Sequence, residues 1–235
     1  MMSNSGKPAV VITRWWWVRH APVRSDGGNI YGQQDIACDC GDLEVFEAVA
    51  KILPRNAFWV ASNLQRTLQT AEAIWAAGFP KPAAMPREAA FAEQHLGQLQ
   101  GMNRAAFIAS RPVGSHWITD INEPPPGGES FMDLYNRARG AIERINAEQA
   151  GRDVIAVAHG GTIMAAVGLA LGQPEKGLAF EIGNCSVTRL DHFASPGKSI
   201  WRLPMVNQQP WIADAKHAAM HQPAGPEVIP ESKLA

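Results

Sequence analysis

Short apolar runs alternate with amphipathic stretches along most of the chain. The runs at 9–19, 57–62 and 153–159 are nearly uninterrupted and bounded by turn residues, which is typical of buried β-strands. The stretches at 42–54, 63–78 and 128–149 instead repeat apolar side chains at three- and four-residue spacing, which predicts amphipathic helices. Two more strands, at 180–193 and 199–206, flank a turn and predict a hairpin, and 85–91 predicts a further short strand.

This alternation predicts an α/β fold, a three-layer α/β/α sandwich whose mostly parallel sheet carries helices on both faces. We expect one domain over 9–206, with an insertion at about 94–127 that caps the functional site. The remaining segment, 207–235, is rich in proline and has little periodicity. It predicts a tail that is packed on the surface or partly disordered.

Composition narrows the class of protein. The 235 residues are 46% hydrophobic and carry a formal net charge of −1, which argues against nucleic acid or an anionic membrane surface as a partner. No apolar run approaches the roughly 20 residues of a membrane span. The first residues lack the layout of a secretory signal, so we expect a cytoplasmic protein. The spacing of Cys38 and Cys40 matches no common zinc motif, which favours ordinary reduced thiols and no metal.

Basic and imidazole side chains follow the predicted strands where each strand ends. Arg19 and His20 close the first strand, Arg66 lies in the first turn after the second, and His159 follows the third. The carboxyl ends of parallel strands meet at one edge of a sheet, so these four side chains should converge. Two guanidinium groups and two imidazoles suit a tetrahedral anion, and phosphate is the natural occupant. The glycine turn at Gly160 can bring backbone N–H groups to the same anion.

The residues leave two matters open at this point. Arg19 and His20, taken alone, could be solvated residues at the end of a core strand. Spacing also does not decide which of the two histidines would act as a nucleophile.

Five motifs in order carry a family resemblance: RHAPV at 19–23, SNLQRT at 62–67, the E-x-x-x-G-x-x-x-G that begins at Glu93, PPGGES at 125–130 and AHGGT at 158–162. Together they resemble the histidine phosphatase superfamily, in its phosphoglycerate-mutase-like phosphatase branch, from about 15 to 190. The resemblance implies that His20 becomes a phosphohistidine and that Arg19, Arg66 and His159 clamp the phosphate. It also implies that Glu93 protonates the leaving oxygen and later activates water, with Glu88 as the nearest rival.

The function that the resemblance implies is hydrolysis of a small-molecule phosphate ester. Phosphoryl transfer depends on positioning and charge stabilisation, so we expect a phosphomonoesterase that needs neither a metal nor a cofactor. The alternatives are a phosphoglycerate-type mutase and a catalytically silent phosphate-binding domain. Mutases of the family carry an arginine-rich segment where this chain has only Arg104 and Arg111 between 101 and 125, which favours the phosphatase. A homodimer is one assembly that the sequence leaves open.

The chain departs from the family pattern in the loop after His20. Many members place an asparagine there as a phosphate ligand, and here Asn29, Ser25 or the backbone of Gly32 are the candidates to replace it. The predicted cap contributes four large apolar side chains, which favours a partly apolar leaving group: Phe107, Ile108, Trp117 and Ile118.

The remaining conspicuous residues have structural explanations. The three tryptophans at 15–17 are expected in the core, because aromatic rings dominate burial. Arg137, Arg139 and Arg144 are expected on a solvated helix face. Glu129 stands at a helix start, where the helix dipole favours negative charge.

Overall fold

A five-stranded sheet in the order β2-β3-β1-β4-β5 forms the centre of the computed structural model, which describes residues 10–111 and 120–213. The strands are β1 (Val11–Arg19), β2 (Phe58–Ala61), β3 (Asp153–Ala158), β4 (Val187–Ser195) and β5 (Lys198–Gln208). The helices are α1 (Leu43–Ile52), α2 (Gln65–Ala76), α3 (Arg104–Ala109), α4 (Phe131–Glu148) and α5 (Gly160–Leu171).

The helices cover both faces of the sheet, which confirms the three-layer α/β/α prediction. Alternate residues of β1 point to opposite faces. Trp15 and Trp17 stack with ring centroids 5.1 Å apart on the face that packs against α4 and α5. Val18 lies on the other face, in the core that packs against α1 and α2. Trp15 and Trp17 are almost fully buried, which confirms their expected role in the core.

The sheet is only partly parallel, and here the prediction of a mostly parallel sheet was too strong. β3 pairs in parallel with β1 and β2, whereas β4 pairs antiparallel with both β1 and β5. After α5 the chain returns to the carboxyl end of β1, where the Cys185 N–H donates to the Arg19 carbonyl at 3.0 Å. β4 therefore starts at that end and runs against its neighbour, and the tight turn into β5 enforces a second antiparallel pair.

The register of the parallel strands brings the site residues together. Arg19 of β1 lies opposite Ala158 of β3, and Ala61 of β2 lies opposite Val157. The next residues along the three strands are His20, His159 and Ser62. They emerge side by side at the carboxyl edge of the sheet, as expected for a ligand site in an α/β fold.

The predicted strand at 85–91 is not formed. It contributes one isolated bridge between Arg87 and Ala61, followed by a short 3-10 helix, Ala89–Phe91. Pro86 has no N–H to give to a ladder, so only its carbonyl joins the edge of β2, accepting from the Ala61 N–H at 3.1 Å.

The expected domain boundary at 206 lies within β5, and the expected tail and cap are described only in part. β5 continues to Gln208, and in the short 3-10 helix that follows, Trp211 is buried in the core beside α1. The expected tail beyond 213 lies outside the described residues. So do Trp117 and Ile118 of the expected cap, of which the structure describes a 3-10 helix, Gly97–Leu99, and α3.

Candidate active site

His20 is buried at the end of β1 in an orientation that frees one ring nitrogen. Its Nδ1 lies 2.7 Å from the Ala21 carbonyl, which can only accept, so the proton of the neutral ring is on Nδ1. Nε2 has no hydrogen-bond partner among the residues that the structure describes. The backbone is held as well, because the Asn184 side chain donates to the His20 carbonyl at 2.8 Å. The ring is therefore oriented with the lone pair of Nε2 available.

Burial lowers the pKa of His20 well below its ordinary value of 6.5, and the cations Arg19 and Arg66 lower it further. The backbone bond to Ala21 opposes this shift but does not reverse it. A neutral imidazole is what nucleophilic attack requires. The environment therefore holds His20 in its reactive protonation state.

Arg19 presents a buried and unsatisfied donor next to this ring. Its Nη1 donates to the Ile182 carbonyl, whereas its Nε is buried without a hydrogen-bond partner. An unpaired buried N–H of a guanidinium is costly unless a ligand satisfies it. This donor lies about 3.5 Å from where a side chain on Gly160 would begin, at the start of α5. It is available to an anion in the cavity.

Arg66 is fully buried in the first turn of α2. It donates to the carbonyls of Gly32 at 2.7 Å and Gln34 at 2.8 Å, and its Nε donates to Nδ1 of His159 at 3.2 Å. Tyr31 packs against the guanidinium, 5.1 Å from its ring centroid. These bonds use three of the five N–H groups of an arginine, so two remain for a phosphate.

His159 is held by protein groups on both ring nitrogens. Since Nδ1 accepts from Arg66, the proton is on Nε2, which donates to Oγ of Ser62 at 2.7 Å. Burial lowers its pKa well below 6.5, and the charges of Arg66, Arg19 and Arg137 add to this effect. Its ring centroid lies 5.2 Å from that of His20. A direct hydrogen bond from His159 to phosphate would require one of its present bonds to be exchanged.

Glu93 places its carboxylate at the N-terminus of α5. Its Oε1 accepts from the N–H of Gly161 at 3.1 Å and from the N–H of Gln94 at 2.9 Å. The anion expected at the glycine turn is therefore, in this structure, the Glu93 carboxylate, which the helix dipole also favours. The rival Glu88 instead pairs with Arg144, caps the 3-10 helix and does not line the cavity.

A cavity of about 580 Å³ has Arg19, Gly32, Glu93 and Gly160 in its wall, whereas the buried His20, Arg66 and His159 are not among the residues that line it. Such a volume suits a small molecule. Much of the remaining wall is apolar: Val23, Ile30, Leu96, Ile108, Met164 and Leu178. At the rim, Arg104 pairs with Asp26 at 2.9 Å and packs over the ring of Tyr31.

The loop after His20 contributes differently from expectation. Asn29 forms a bridge with Asn103 of the cap, its carbonyl accepts from Arg104, and it does not line the cavity. Asn29 as the replacement ligand therefore stays a prediction, and in this structure its backbone is engaged with the cap. Gly32 does line the cavity, with a positive φ of 47° and its carbonyl bound to Arg66. A side chain there would begin 2.4 Å from Oε1 of Gln100, so close approach of the two segments requires glycine.

Sequence reasoning missed three polar side chains that support the site. Ser62 bonds His159, Tyr31 packs on Arg66, and Thr70 accepts from the Ala21 N–H at 2.8 Å. Ser62 directly follows β2, so the rule that found the other strand-end residues could also have found it. Tyr31 and Thr70 have no comparable local signal.

Arg137 was misinterpreted from the sequence, and its ion pair with Glu129 was not predicted. Arg137 was expected on a solvated face, but its side chain is only 23% exposed and it forms an ion pair with Glu129 at 2.6 Å. Glu129 directly precedes the N-cap of α4, as expected, but its carboxylate is also engaged by this pair, which the sequence did not indicate. Arg139 and Arg144 are about half exposed, as expected.

Cys38 and Cys40 are free thiols that lie close together. Cys38 and Cys40 have their sulfur atoms 3.6 Å apart, and the hydrogen bond from Cys40 lowers the pKa of Cys38 to about 7. Within 10–111 and 120–213, no group of three or more potential ligands is arranged to hold a metal ion. No helix in these ranges is long and apolar enough to cross a membrane.

Comparison with known proteins places this geometry in a family. The model of the histidine phosphatase superfamily (branch 1) matches residues 15–202. The chain belongs to the histidine phosphatase superfamily. Glucosyl-3-phosphoglycerate phosphatase from Mycolicibacterium vanbaalenii is 30% identical over 225 residues, covering 86% of this chain and 98% of that relative.

Two further comparisons agree with this membership of the histidine phosphatase superfamily. Metal-independent phosphoserine phosphatase from Arabidopsis thaliana is 33% identical over 162 residues, covering 66% of this chain and 67% of its own. The solved structure of mycobacterial glucosyl-3-phosphoglycerate phosphatase superposes with a TM-score of 0.70 at 28% identity. It covers 83% of this chain and 99% of that one.

Proposed function

We propose that this member of the histidine phosphatase superfamily hydrolyses a small-molecule phosphate monoester through a phosphohistidine at His20. The observation that carries the proposal is the state of that ring. Its Nδ1 proton is committed to the Ala21 carbonyl, and its pKa is lowered by burial and by Arg19 and Arg66. Within the described residues, neither its Nε2 nor the buried Nε of Arg19 has a hydrogen-bond partner. A neutral, oriented imidazole next to a buried cationic donor is suited to attack on phosphorus.

In the first step, the lone pair on Nε2 of His20 forms a bond to phosphorus while the bond from phosphorus to the ester oxygen breaks. The Glu93 carboxyl gives its proton to that oxygen, and the product leaves as a neutral alcohol. The free N–H groups of Arg19 and Arg66 bind the transferring phosphoryl oxygens. They stabilise the charge that develops on them.

In the second step, water attacks the phosphohistidine. The Glu93 carboxylate accepts a proton from this water, the nitrogen–phosphorus bond breaks, and the electron pair returns to Nε2. Inorganic phosphate leaves, and both His20 and the protonated Glu93 are regenerated. In this scheme His159 orients Arg66 through its Nδ1, and Ser62 orients His159.

The cavity supports a substrate with a sizeable leaving group that is partly apolar. About 580 Å³ exceeds the needs of a phosphate alone, and the walls supply several aliphatic side chains. Arg104 is already paired with Asp26, and Glu181 lines the same space. Among the described residues of this wall, a second anionic group therefore finds no unpaired cation besides Arg19. The names of the relatives suggest glucosyl-3-phosphoglycerate and phosphoserine as esters to compare. Both carry a carboxylate besides the phosphate, so we expect them to be poorer substrates than esters with an uncharged leaving group.

The experiment is hydrolysis of p-nitrophenyl phosphate and of a phosphoester panel, with and without a chelator. We expect turnover that the chelator leaves unchanged and that the His20→Asn variant loses. Full activity in that variant would exclude the mechanism, and loss in chelator would exclude metal independence. Failure of the wild type on the whole panel would favour a silent phosphate-binding domain. Interconversion of 3- and 2-phosphoglycerate would favour a mutase.

Cytoplasmic location and a homodimer remain predictions. Cell fractionation tests the first and sedimentation of the purified protein tests the second.

A further inference from the structure

Arg137 of α4 uses all of its hydrogen-bonding capacity on Glu129 and on the segment that carries Glu93. Its Nε and one N–H of Nη2 form a two-pronged pair with the Glu129 carboxylate, at 3.0 and 2.6 Å. The two N–H groups of Nη1 lie 2.8 Å from the carbonyls of Ala90 and Ala92, and the last one lies 2.9 Å from the carbonyl of Glu93. A guanidinium has five N–H groups, and all five are used.

We propose that Arg137, held by Glu129, is a positioning residue that fixes the Glu93 carboxyl group at the leaving oxygen. This inference rests on the proposed function, in which Glu93 is the general acid. The structure brings the residue to the back of the Glu93 segment and the cavity to its front. Arg137 is not among the residues that line the cavity, and its direct bond to a site residue is the one to the Glu93 carbonyl, so we class it as a positioning residue.

The segment that carries Glu93 needs side-chain hydrogen bonds because it has no regular secondary structure of its own. The 3-10 helix ends at Phe91, and Glu93 and Gln94 belong to no helix or strand. Their carbonyls therefore have no ladder or helix partner, and an irregular backbone must be satisfied by side chains. Arg137 supplies the bond to the Glu93 carbonyl and, from the same rigid and planar group, bonds to the carbonyls of Ala90 and Ala92.

Thr162 holds the same segment at a different place, and the comparison shows which residue depends on Arg137. Thr162 of α5 donates its hydroxyl to the carbonyls of Phe91 and Ala92, at 3.1 and 3.0 Å. These bonds stop short of Glu93, whose carbonyl is held by Arg137 and by the side chain of Gln33 at 2.8 Å. Removing Arg137 should therefore leave the segment in place and loosen it at the catalytic residue.

The pair with Glu129 explains why an arginine is required. Two parallel bonds to one carboxylate set the plane of the guanidinium, and this plane aims the other N–H groups at the three carbonyls. Lysine has one flexible ammonium group and cannot reproduce this geometry. The Glu129 carboxylate also accepts from the His95 N–H at 2.8 Å. The residues that follow Glu93 are therefore held by the same carboxylate that holds Arg137.

Misplacement of a general acid has a signature that general loss of structure does not share. A leaving group that is already a weak base needs little protonation, whereas an alkoxide needs a full proton transfer. The quantity to compare is kcat/KM, which reports the transfer to His20 and not the later hydrolysis of the phosphoenzyme that all esters share. A variant in which Glu93 is misplaced should lose little kcat/KM with p-nitrophenyl phosphate and much more with an alkyl phosphate. A partly unfolded variant should lose the same fraction with both.

The experiment compares Arg137→Met and Arg137→Lys with the wild type on a series of aryl and alkyl phosphates. Each value of kcat/KM is calculated per mole of phosphoenzyme formed in a burst with p-nitrophenyl phosphate, so that only folded sites are counted. Arg139→Met is the matched control, because Arg139 lies on the same helix and is about half exposed, with one weak pair to Glu143.

We expect a loss of roughly 10–100-fold on alkyl phosphates and of less than about threefold on p-nitrophenyl phosphate, since small displacements of a catalytic group can cost 10²-fold. Arg137→Lys should resemble Arg137→Met, and Arg139→Met should resemble the wild type. An equal loss on all esters, or none, would overturn the positioning role while leaving the proposed function intact. Failure of the wild type to form a phosphoenzyme would instead overturn the proposed function.

Discussion

Acidification should destabilise this protein through its two buried histidines. His20 and His159 are at most 1% exposed, and their pKa values lie well below 6.5 because of burial and the neighbouring arginines. A depressed histidine pKa means that the unfolded chain binds protons that the folded chain refuses. Stability is therefore fully present above the unfolded pKa of 6.5 and falls as the pH drops below it.

The magnitude follows from the unfolded pKa alone while both rings stay neutral in the folded state. Between about pH 7 and about pH 5.5, protonation of one unfolded histidine favours unfolding by about 1 kcal/mol, and two contribute about 2 kcal/mol. Ordinary carboxyl groups titrate below this window and contribute little. The other histidines of the chain are common to all variants and cancel in the comparison.

Urea unfolding of the wild type, His20→Asn and His159→Asn at both pH values, in phosphate-free buffer, measures this effect. Each variant should lose about 1 kcal/mol less than the wild type on acidification, whatever its stability at neutral pH. The same pH dependence in all three proteins would contradict burial of these imidazoles in their neutral form.

Two further substitutions test the geometry around the acid and the clamp. Gly161→Ala brings a methyl group to 2.4 Å from Oε1 of Glu93, and we expect kcat on alkyl phosphates to fall by roughly 10²-fold. Gly140→Ala is its control, because a side chain there meets nothing within 4 Å; unchanged kcat in both variants would refute the Glu93 placement. Ser62→Ala leaves the Nε2 proton of His159 without its partner. It should lower the free energy of unfolding by about 1–3 kcal/mol, and urea unfolding at neutral pH that matches the wild type would argue against that bond.

The sequence predicted most of the sheet and the convergence of His20 with the three clamp residues, because both follow from local patterns. A run of apolar residues predicts a buried strand, and the polar residue after it must lie at the carboxyl edge. That reasoning needs no long-range information. It was sufficient for Arg19, His20, Arg66 and His159, whose strands or adjoining helix follow the expected pattern.

The direction of β4, the role of Arg137 and the orientation of the His20 ring could not be predicted, because they depend on contacts that local patterns do not specify. The direction of β4 depends on where residues 172–186 return the chain, and the role of Arg137 depends on carbonyls about 45 residues earlier. On a helical wheel, Arg137 borders the apolar stripe, as the exposed Arg139 and Arg144 also do, so the wheel does not single it out. The spare ring nitrogen of His20 likewise depends on one bond to a backbone carbonyl.

The central claim is that His20 carries the phosphoryl group during turnover, and trapping the phosphoenzyme tests it most directly. The wild type is mixed with a rapidly cleaved aryl phosphate, quenched in alkali within one turnover, and the phosphorylated peptide is sequenced by mass spectrometry. We expect one phosphoryl group, stable to alkali and labile to acid, on Nε2 of His20, and none in His20→Asn. Phosphate on Ser62, Cys38 or His159, or turnover with no trapped intermediate, would contradict the account.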